Sequence, residues 1–509
     1  MPIHIEFLTE IVIAMILVAV VLAGGFILTT IQRRISRRRY FEELDWARKR
    51  VEELVEPVYR NHSDWDATIR SFRSLHTKVE RQALEETLLR HAKDAEQLAV
   101  TRQIVKKMGW IQEWTDVLRS RAHKPSGETA RMLAESGDNY RPPTGVRRIR
   151  LRLRANFITR CIAADKLARV PTPEGMWALI AGATDPHPEV QEICFRHLGN
   201  LADPVTLPIL IEELIRVIER TSPLSVRDIK SAVVQFSLSE IGALRKALEH
   251  PHRRIRFFAT DIIREIVDRE AATGFLGKND FTPEIYRLFT ERLCVDEWGD
   301  VRARAAMVLA HFHDNPSTTI LEKLLQDEVW FVRLHACRAI ASKFFLPIAP
   351  TLARCLIDSH WLVREAATRT LCKMGEPGVE YIFYVFLTSE DQYVTGQICE
   401  ELQRSGILFN ILGNISDEKQ RQRVLEVVLR MASMDRIAIL RSYLLAPVAS
   451  DLKLLLIRGL ASSSSVEYLE ALHLCAEKDP DPQVRKAALA AFQNRLERTV
   501  ADMPAAEGN

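Results

Sequence analysis

Three stretches of the chain write polar and apolar residues in the same order at a fixed interval: DEWGDVRARAAMVL, DEVWFVRLHACRAI and DSHWLVREAATRTL. They begin at Asp296, Asp327 and Asp358, 31 residues apart. Each carries Val-Arg five and six residues after the Asp (Val301–Arg302, Val332–Arg333, Val363–Arg364), Ala at nine and an aliphatic at thirteen. The Val, Ala and aliphatic positions are four apart, so they fall on one face of a predicted helix. Another apolar helix precedes the Asp, as in TTILEKLLQ before Asp327 and APTLARCLI before Asp358. The repeating unit is therefore a helical hairpin. One hairpin cannot bury its apolar face alone, so the unit has to recur until neighbouring faces cover one another.

Looser copies extend the pattern. DPDPQVRKAALAAF has Asp479 and Arg485 in place; HPHRRIRFFATDII keeps Arg256 with His250 at the Asp position; DPHPEVQEICFRHL keeps Asp185 but has Gln191 for Arg. Weaker units begin at Ser389 and Pro447, with VLEVVLRMA in the slot between, so the steps from 296 to 479 run 31, 31, 31, 30, 28 and 32. Asp in the turn can accept from free N–H groups at the next helix start. Arg one turn later can reach an Asp of its own or the adjacent unit. That makes Asp296, Arg302, Asp327, Arg333, Asp358, Arg364, Asp479 and Arg485 structural parts of a ladder in this reading.

The N-terminus follows a different pattern. IVIAMILVAVVLAGGFIL, extended to Ile31, is an uncharged run of 21 residues, a helix about 31 Å long and enough for a bilayer core. Glu6 and Glu10 precede it and Arg33, Arg34, Arg37, Arg38 and Arg39 follow. A cleaved leader would carry its basic residues first. The flanks thus predict a retained transmembrane helix over 11–31, residues 1–10 outside, and the rest in the cytoplasm of an inner-membrane protein. Phe41, Leu44, Val51, Leu54, Val55 and Val58 then predict an amphipathic helix that ends or bends at Pro57, within a cytosolic helical region over 32–121. Residues 122–145 lose the apolar stripe and gain Pro, Gly and Ser, reading as a flexible linker; 146–498 is the expected solenoid and 499–509 a disordered tail. VRRIRLRLRANFITRCIAADKLARV reads as one helix opening the solenoid. Its six arginines from Arg147 to Arg160 are a candidate contact for acidic lipid, nucleic acid or acidic protein, against a plain solvated face.

Composition refines this picture at two points. Net charge is only +3, but residues 31–154 hold 28 Lys/Arg against 18 Asp/Glu, which places the positive surplus beside the apolar run. Eight cysteines form no CxxC pair, so reduced structural thiols are expected. No phosphate loop, GxSxG or paired-His motif is present. His311, His313 and Asp314 are the nearest approach to a metal cluster and lack a fourth ligand. The expectation is a non-enzyme without cofactor, metal or small-molecule substrate. Trp330 and Trp361 match between units, as do Arg338 and Arg369, and these four are candidate partner-binding residues; Trp298 is displaced by one position.

The D-x4-VR-x2-A-x3-L pattern resembles the HEAT repeat family over roughly residues 147–498. The resemblance implies an all-α solenoid of antiparallel helix pairs stacked in a right-handed superhelix. One N-terminal helix followed by such units is similar to bacterial accessory partners of membrane assemblies, such as polysaccharide-synthesising glycosyltransferases. It implies an unidentified, membrane-associated protein partner, with lipid contact through the transmembrane helix. HEAT-like units also occur in phycobilin lyases and certain DNA glycosylases, the competing enzymatic class. Residues 155–509 carry net negative charge, so nucleic acid is not the expected ligand.

Overall fold

The computed structural model describes residues 3–60, 65–135, 143–274, 281–312, 315–342, 346–407, 418–434, 438–460 and 466–501. Among them all regular structure is helical. The chain divides into two compact units, Met1–Phe236 and Ser237–Asn509. The division falls inside the stretch expected to be one solenoid.

That unit contains α1 (Ile3–Arg60), α2 (Trp65–Arg73), α3 (Lys78–His91), α4 (Ala95–Lys107), α5 (Trp110–Leu118), α6 (Gly127–Glu135), α7 (Gly145–Arg154), α8 (Phe157–Arg169), α9 (Pro173–Gly182), α10 (Pro188–Leu201), α11 (Leu207–Ile218) and α12 (Val226–Val233). Helix α1 is continuous through both the apolar run and the amphipathic segment, and Pro57 lies inside it, the helix ending only at Arg60. Its described apolar side chains from Ile13 to Ile31 are exposed, whereas Leu44, Ala47, Val51 and Val55 are buried. The 3-4-4 spacing of that buried stripe seats the C-terminal half of α1 on α3. Ala47 fills the gap that Arg48 leaves in the apolar pattern, and Arg48 instead reaches Glu86 at 2.7 Å. Each of the larger buried aliphatics contributes roughly 1.5–3 kcal/mol.

Trp110, Trp114 and Leu118 of α5 are buried where α5 packs on α8 and α9. The helices expected to form a separate juxtamembrane region are thereby part of the same body as the first repeats. The expected linker is partly structured as well. Within it α6 packs on α9 and α11, and the Glu128 N–H donates to Glu212 Oε2 at 2.7 Å. Gly127 permits this, since it holds φ +58° and any Cβ there would fall 2.0 Å from the Glu212 carboxylate. Residues 136–142 of that segment lie outside the described residues. The single helix expected from Val146 onward is broken: Asn156 caps α8 by accepting from the Thr159 N–H at 2.8 Å.

The second unit contains α13 (Arg245–Leu248), α14 (Arg253–Ala272), α15 (Pro283–Arg287), α16 (Gly299–Leu309), α17 (Asn315–Leu324), α18 (Trp330–Ile340), α19 (Ala349–Cys355), α20 (Trp361–Lys373), α21 (Glu376–Thr388), α22 (Gln392–Arg404), α23 (Glu418–Ser433), α24 (Ala438–Leu445), α25 (Ser450–Leu460), α26 (Val466–Lys478) and α27 (Pro482–Ala501). The second helix of each hairpin packs on that of the next, α14 on α16, α16 on α18, α18 on α20 and α20 on α22. The Val, Ala and aliphatic positions form the seam: Val301, Ala305, Leu309, Val332, Ala336, Ile340, Val363, Ala367 and Leu371 are all buried. Ala at the middle position lets the helices approach, where a larger side chain would overpack.

Candidate protein-interaction surface

The Asp and Arg of the repeat are joined across units. Arg302 donates through Nε and Nη2 to both oxygens of Asp327, at 2.7 and 2.8 Å, and Arg333 does the same to Asp358 at 2.6 and 2.8 Å. The remaining Nη1 turns back to the carbonyl of the unit's own Asp: Arg302 to Asp296 and Arg333 to Asp327, both at 2.7 Å. Each Asp also accepts from the N–H two residues on, at Trp298, Val329 and His360. Those N–H groups belong to the residue before the helix, two or three positions earlier than the N–H groups a conventional cap accepts from. Burial pushes the Asp358 carboxyl up, but the Arg333 and His360 N–H bonds outweigh it and hold Asp358 below the usual carboxylate range.

The ladder starts at Arg256, bidentate to Asp296 at 2.7 and 3.0 Å. It stops at Arg364, because Ser389 stands where the next Asp would be; Arg364 bonds Gln397 Oε1 at 2.9 Å instead. Near the C-terminus Asp479 pairs with Lys453 at 2.5 Å, and Arg485 is left with the carbonyls of Asp479 and Pro480. In the first unit, Arg160 binds Asp185 at 2.7 and 2.9 Å, with side-chain exposures of 3% and 0%. Arg160 therefore belongs to the buried ladder and not to the basic surface read from the sequence.

A second ladder runs beside the first. At three of the four ladder arginines a planar group three residues before the Arg lies against one two residues after the Asp it binds; at Arg302 these places are Gly299 and Val329. Phe157 stacks on His187 at 4.2 Å, the Arg253 guanidinium sits 3.8 Å over Trp298, and Trp330 stacks on His360 at 3.7 Å with planes 5° apart. One face of Trp330 is thus covered, and Trp298 is a member of the stack from its displaced position. Trp361 has Asp391 at the equivalent place and is 55% exposed, against 37% for Trp330. Along this turn edge Val295, Ile357 and Tyr393 are exposed too, Tyr393 at 82%. The exposed carboxylates of Glu297 and Glu328 lie 3.7 and 3.5 Å from ladder guanidiniums.

Arg338 and Arg369, the other two candidate partner-binding residues, are eight residues beyond the tryptophans, about 12 Å along the helix, and so lie away from the aromatic edge. Arg369 is engaged by Glu365 and Glu401. Arg338 is exposed and lies beside a half-buried group the sequence reading passed over, His335. Burial, then Arg338, Arg304 and Arg264, push His335 down to about 4, and its Nδ1 has no hydrogen-bond partner. An unfolded histidine titrates near 6.5. Between pH 6.5 and about 4 the unfolded chain binds a proton that the native unit refuses, so stability falls as pH drops through that window and is level above it. We expect a loss on the order of 2 kcal/mol from pH 7 to pH 4.5, flattened in His335→Leu. Urea midpoints at the two pH values check it.

None of the eight cysteines is in a disulfide, and burial pushes Cys294 up to about 12 and Cys372 up to about 11, keeping these two thiols protonated. No group of three or more His, Cys, Asp or Glu side chains among the described residues could hold a metal. Of the His311, His313 and Asp314 cluster, only His311 is described; it pairs with Asp268 at 3.0 Å. His313 and Asp314 lie outside the described residues.

Residues 348–376, spanning α19, the Asp358 turn and α20, match the HEAT repeat family model. This segment is a HEAT repeat. The HEAT unit is thus anchored where the ladder, the seam and Trp361 coincide. Solved structures that match the chain include human deoxyhypusine hydroxylase (14% identity, TM-score 0.22, covering 55% of this chain and 96% of that one). Others are phycocyanin lyase from Nostoc, a complex of CpcE and CpcF (15%, 0.25, 50% and 94%), and Kap95p bound to RanGDP (12%, 0.31, 92% and 75%). At these scores none bears on the role of this chain. No curated protein matches it.

Proposed function

We propose that the chain is a non-enzymatic HEAT scaffold, held to a membrane by α1, that binds another protein along the turn edge of its second unit. The observation that carries the reading is the row of exposed apolar side chains along the turns of stacked hairpins: Val295 and Ile357 one residue before the turn Asp, Trp330 and Trp361 three after it, and Trp298 and Tyr393 each one position out of that register. Large exposed apolar patches on soluble surfaces mark interaction sites, and aromatic residues are the usual anchors. The repeat's acidic and basic groups are consumed in ladders, which supports a binding role over a catalytic one.

The anchor is supported by an apolar helix long enough to cross a bilayer, none of whose most apolar window is buried. Its continuation into the docked stripe at Leu44–Val55 favours a retained helix over a removed leader. The exposed Arg33, Arg34, Arg37, Arg38 and Arg39 follow it and favour a cytoplasmic body. Such an anchor would confine the scaffold beside a membrane assembly and raise its effective concentration there, as for an accessory subunit of a polysaccharide-synthesising glycosyltransferase.

The test is crosslinking in intact cells from a photoreactive residue at position 393, read by mass spectrometry. One membrane protein should be captured, and capture should vanish in Trp361→Ala. A mature chain lacking its first 31 residues, or adducts confined to the chain itself, would defeat the proposal.

A further inference from the structure

Helix α7 is a basic segment whose apolar stripe has no cover among the described residues of its unit. Over ten residues, GVRRIRLRLR, it holds five arginines and no acid. Val146, Ile149 and Leu153 recur at three and four residues, so they form a single stripe, and they are 73%, 62% and 81% exposed. Arg150, Arg152 and Arg154 are exposed as well. The helix is tethered to the body through α5's end, with Arg152 Nε donating to the Ser120 carbonyl at 3.3 Å and Arg121 donating to the Arg152 carbonyl at 3.1 Å. Two more exposed aliphatics, Ile158 and Ile162, follow in α8.

We infer that α7 is a peripheral membrane-docking helix that seats its Val146–Ile149–Leu153 stripe among the acyl chains of an anionic leaflet while its arginines meet the acidic headgroups. Charge alone would suit nucleic acid equally. A phosphate backbone, however, engages only the arginines and leaves the aliphatic stripe in water. A bilayer interface covers both at once, which is the pairing that defines an interfacial helix. The same unit carries the apolar half of α1 and its flanking arginines, so a bilayer is the surface at hand if the anchor proposed above holds. The inference rests on that reading for its setting, and not for its chemistry.

The full chain in nanodiscs of neutral phosphatidylcholine, and in discs containing phosphatidylglycerol, tests it by amide hydrogen exchange. Residues 145–154 should exchange at least tenfold more slowly in the anionic discs. That protection should be lost in Ile149→Asp/Leu153→Asp and in Arg150→Glu/Arg154→Glu, whose side chains are exposed and not needed for folding. Equal exchange in the two lipids, with residues 13–31 protected in both, would overturn the inference and leave the anchor standing. Protection of 145–154 in anionic discs without protection of 13–31 would uphold it and remove the anchor. Slowing produced by added RNA or DNA in neutral discs would also overturn it.

Discussion

Asp185→Ala is expected to destabilise the first unit by about 3–5 kcal/mol, the usual cost of leaving a buried charge without its partner. Of the ladder pairs, Arg160–Asp185 is the most deeply buried, and both carboxylate oxygens are used by the guanidinium. The Asp185 carboxylate also accepts from the His187 N–H at 2.9 Å, which positions the ring that stacks on Phe157. Truncation strands three polar groups: two arms of Arg160 and one backbone N–H. Asp327→Ala in the second unit should cost less, because Arg302 and Asp327 side chains are 10% and 8% exposed and water can reach the vacated site. Arg160→Met/Asp185→Leu should recover much of the loss by removing both charges, though not all, since the Ala155 carbonyl loses Arg160 as donor. Denaturant unfolding of the full chain, followed by probes in the first unit, measures this. A cost below 1 kcal/mol for Asp185→Ala would show that the ladder is decoration on an apolar stack.

The repeat was legible because its seam obeys one rule, small and aliphatic residues four apart, and because Asp and Arg mark the turn at each copy. Arg160 escaped because its helix begins just after a break at Ala155, inside a run that reads as one basic helix, and because the following unit has Gln191 for Arg. The signal that would have found it is the offset between Arg and the Asp it binds, 25 residues for 160/185, 302/327 and 333/358 alike. The stacked pairs were not legible at all. Phe with His, Arg with Trp and Trp with His share planarity and no residue type, so only coordinates reveal that they hold equivalent places. Helix α6 was missed for a different reason: it is short and weakly apolar, and a carboxylate from α11 secures it more than any stripe of its own. The uninterrupted α1 likewise follows from tertiary packing on α3, which carries the helix through Pro57.

Trp361→Ala should weaken binding of the partner captured by crosslinking by roughly 30- to 1000-fold, equivalent to about 2–4 kcal/mol at an interface anchor. The reason is the end of the planar stack. Trp330 spends one face on His360, so Trp330→Ala loses packing within the unit and should cost about 0.5–1.5 kcal/mol of stability. Trp361 has Asp391 at the equivalent place, and that carboxylate is committed to capping α22 through the Tyr393 N–H at 2.8 Å. Its backbone is fixed, the Trp361 carbonyl accepting from Gln397 Nε2 at 2.7 Å, while its indole stays open to a partner. An aromatic group held in place but uncovered gives large contact area with little entropy left to lose on binding. Its removal should leave folding nearly unchanged. Tyr393→Ala should act in the same direction, and with Glu297 and Glu328 on the rim the affinity should fall with salt, as for a partner presenting Lys or Arg around an apolar centre. Isothermal titration of the full chain in detergent, with unfolding curves run in parallel, separates binding from stability. Unchanged affinity in both Trp361→Ala and Tyr393→Ala, with the fold intact, would move the interface away from the turn edge.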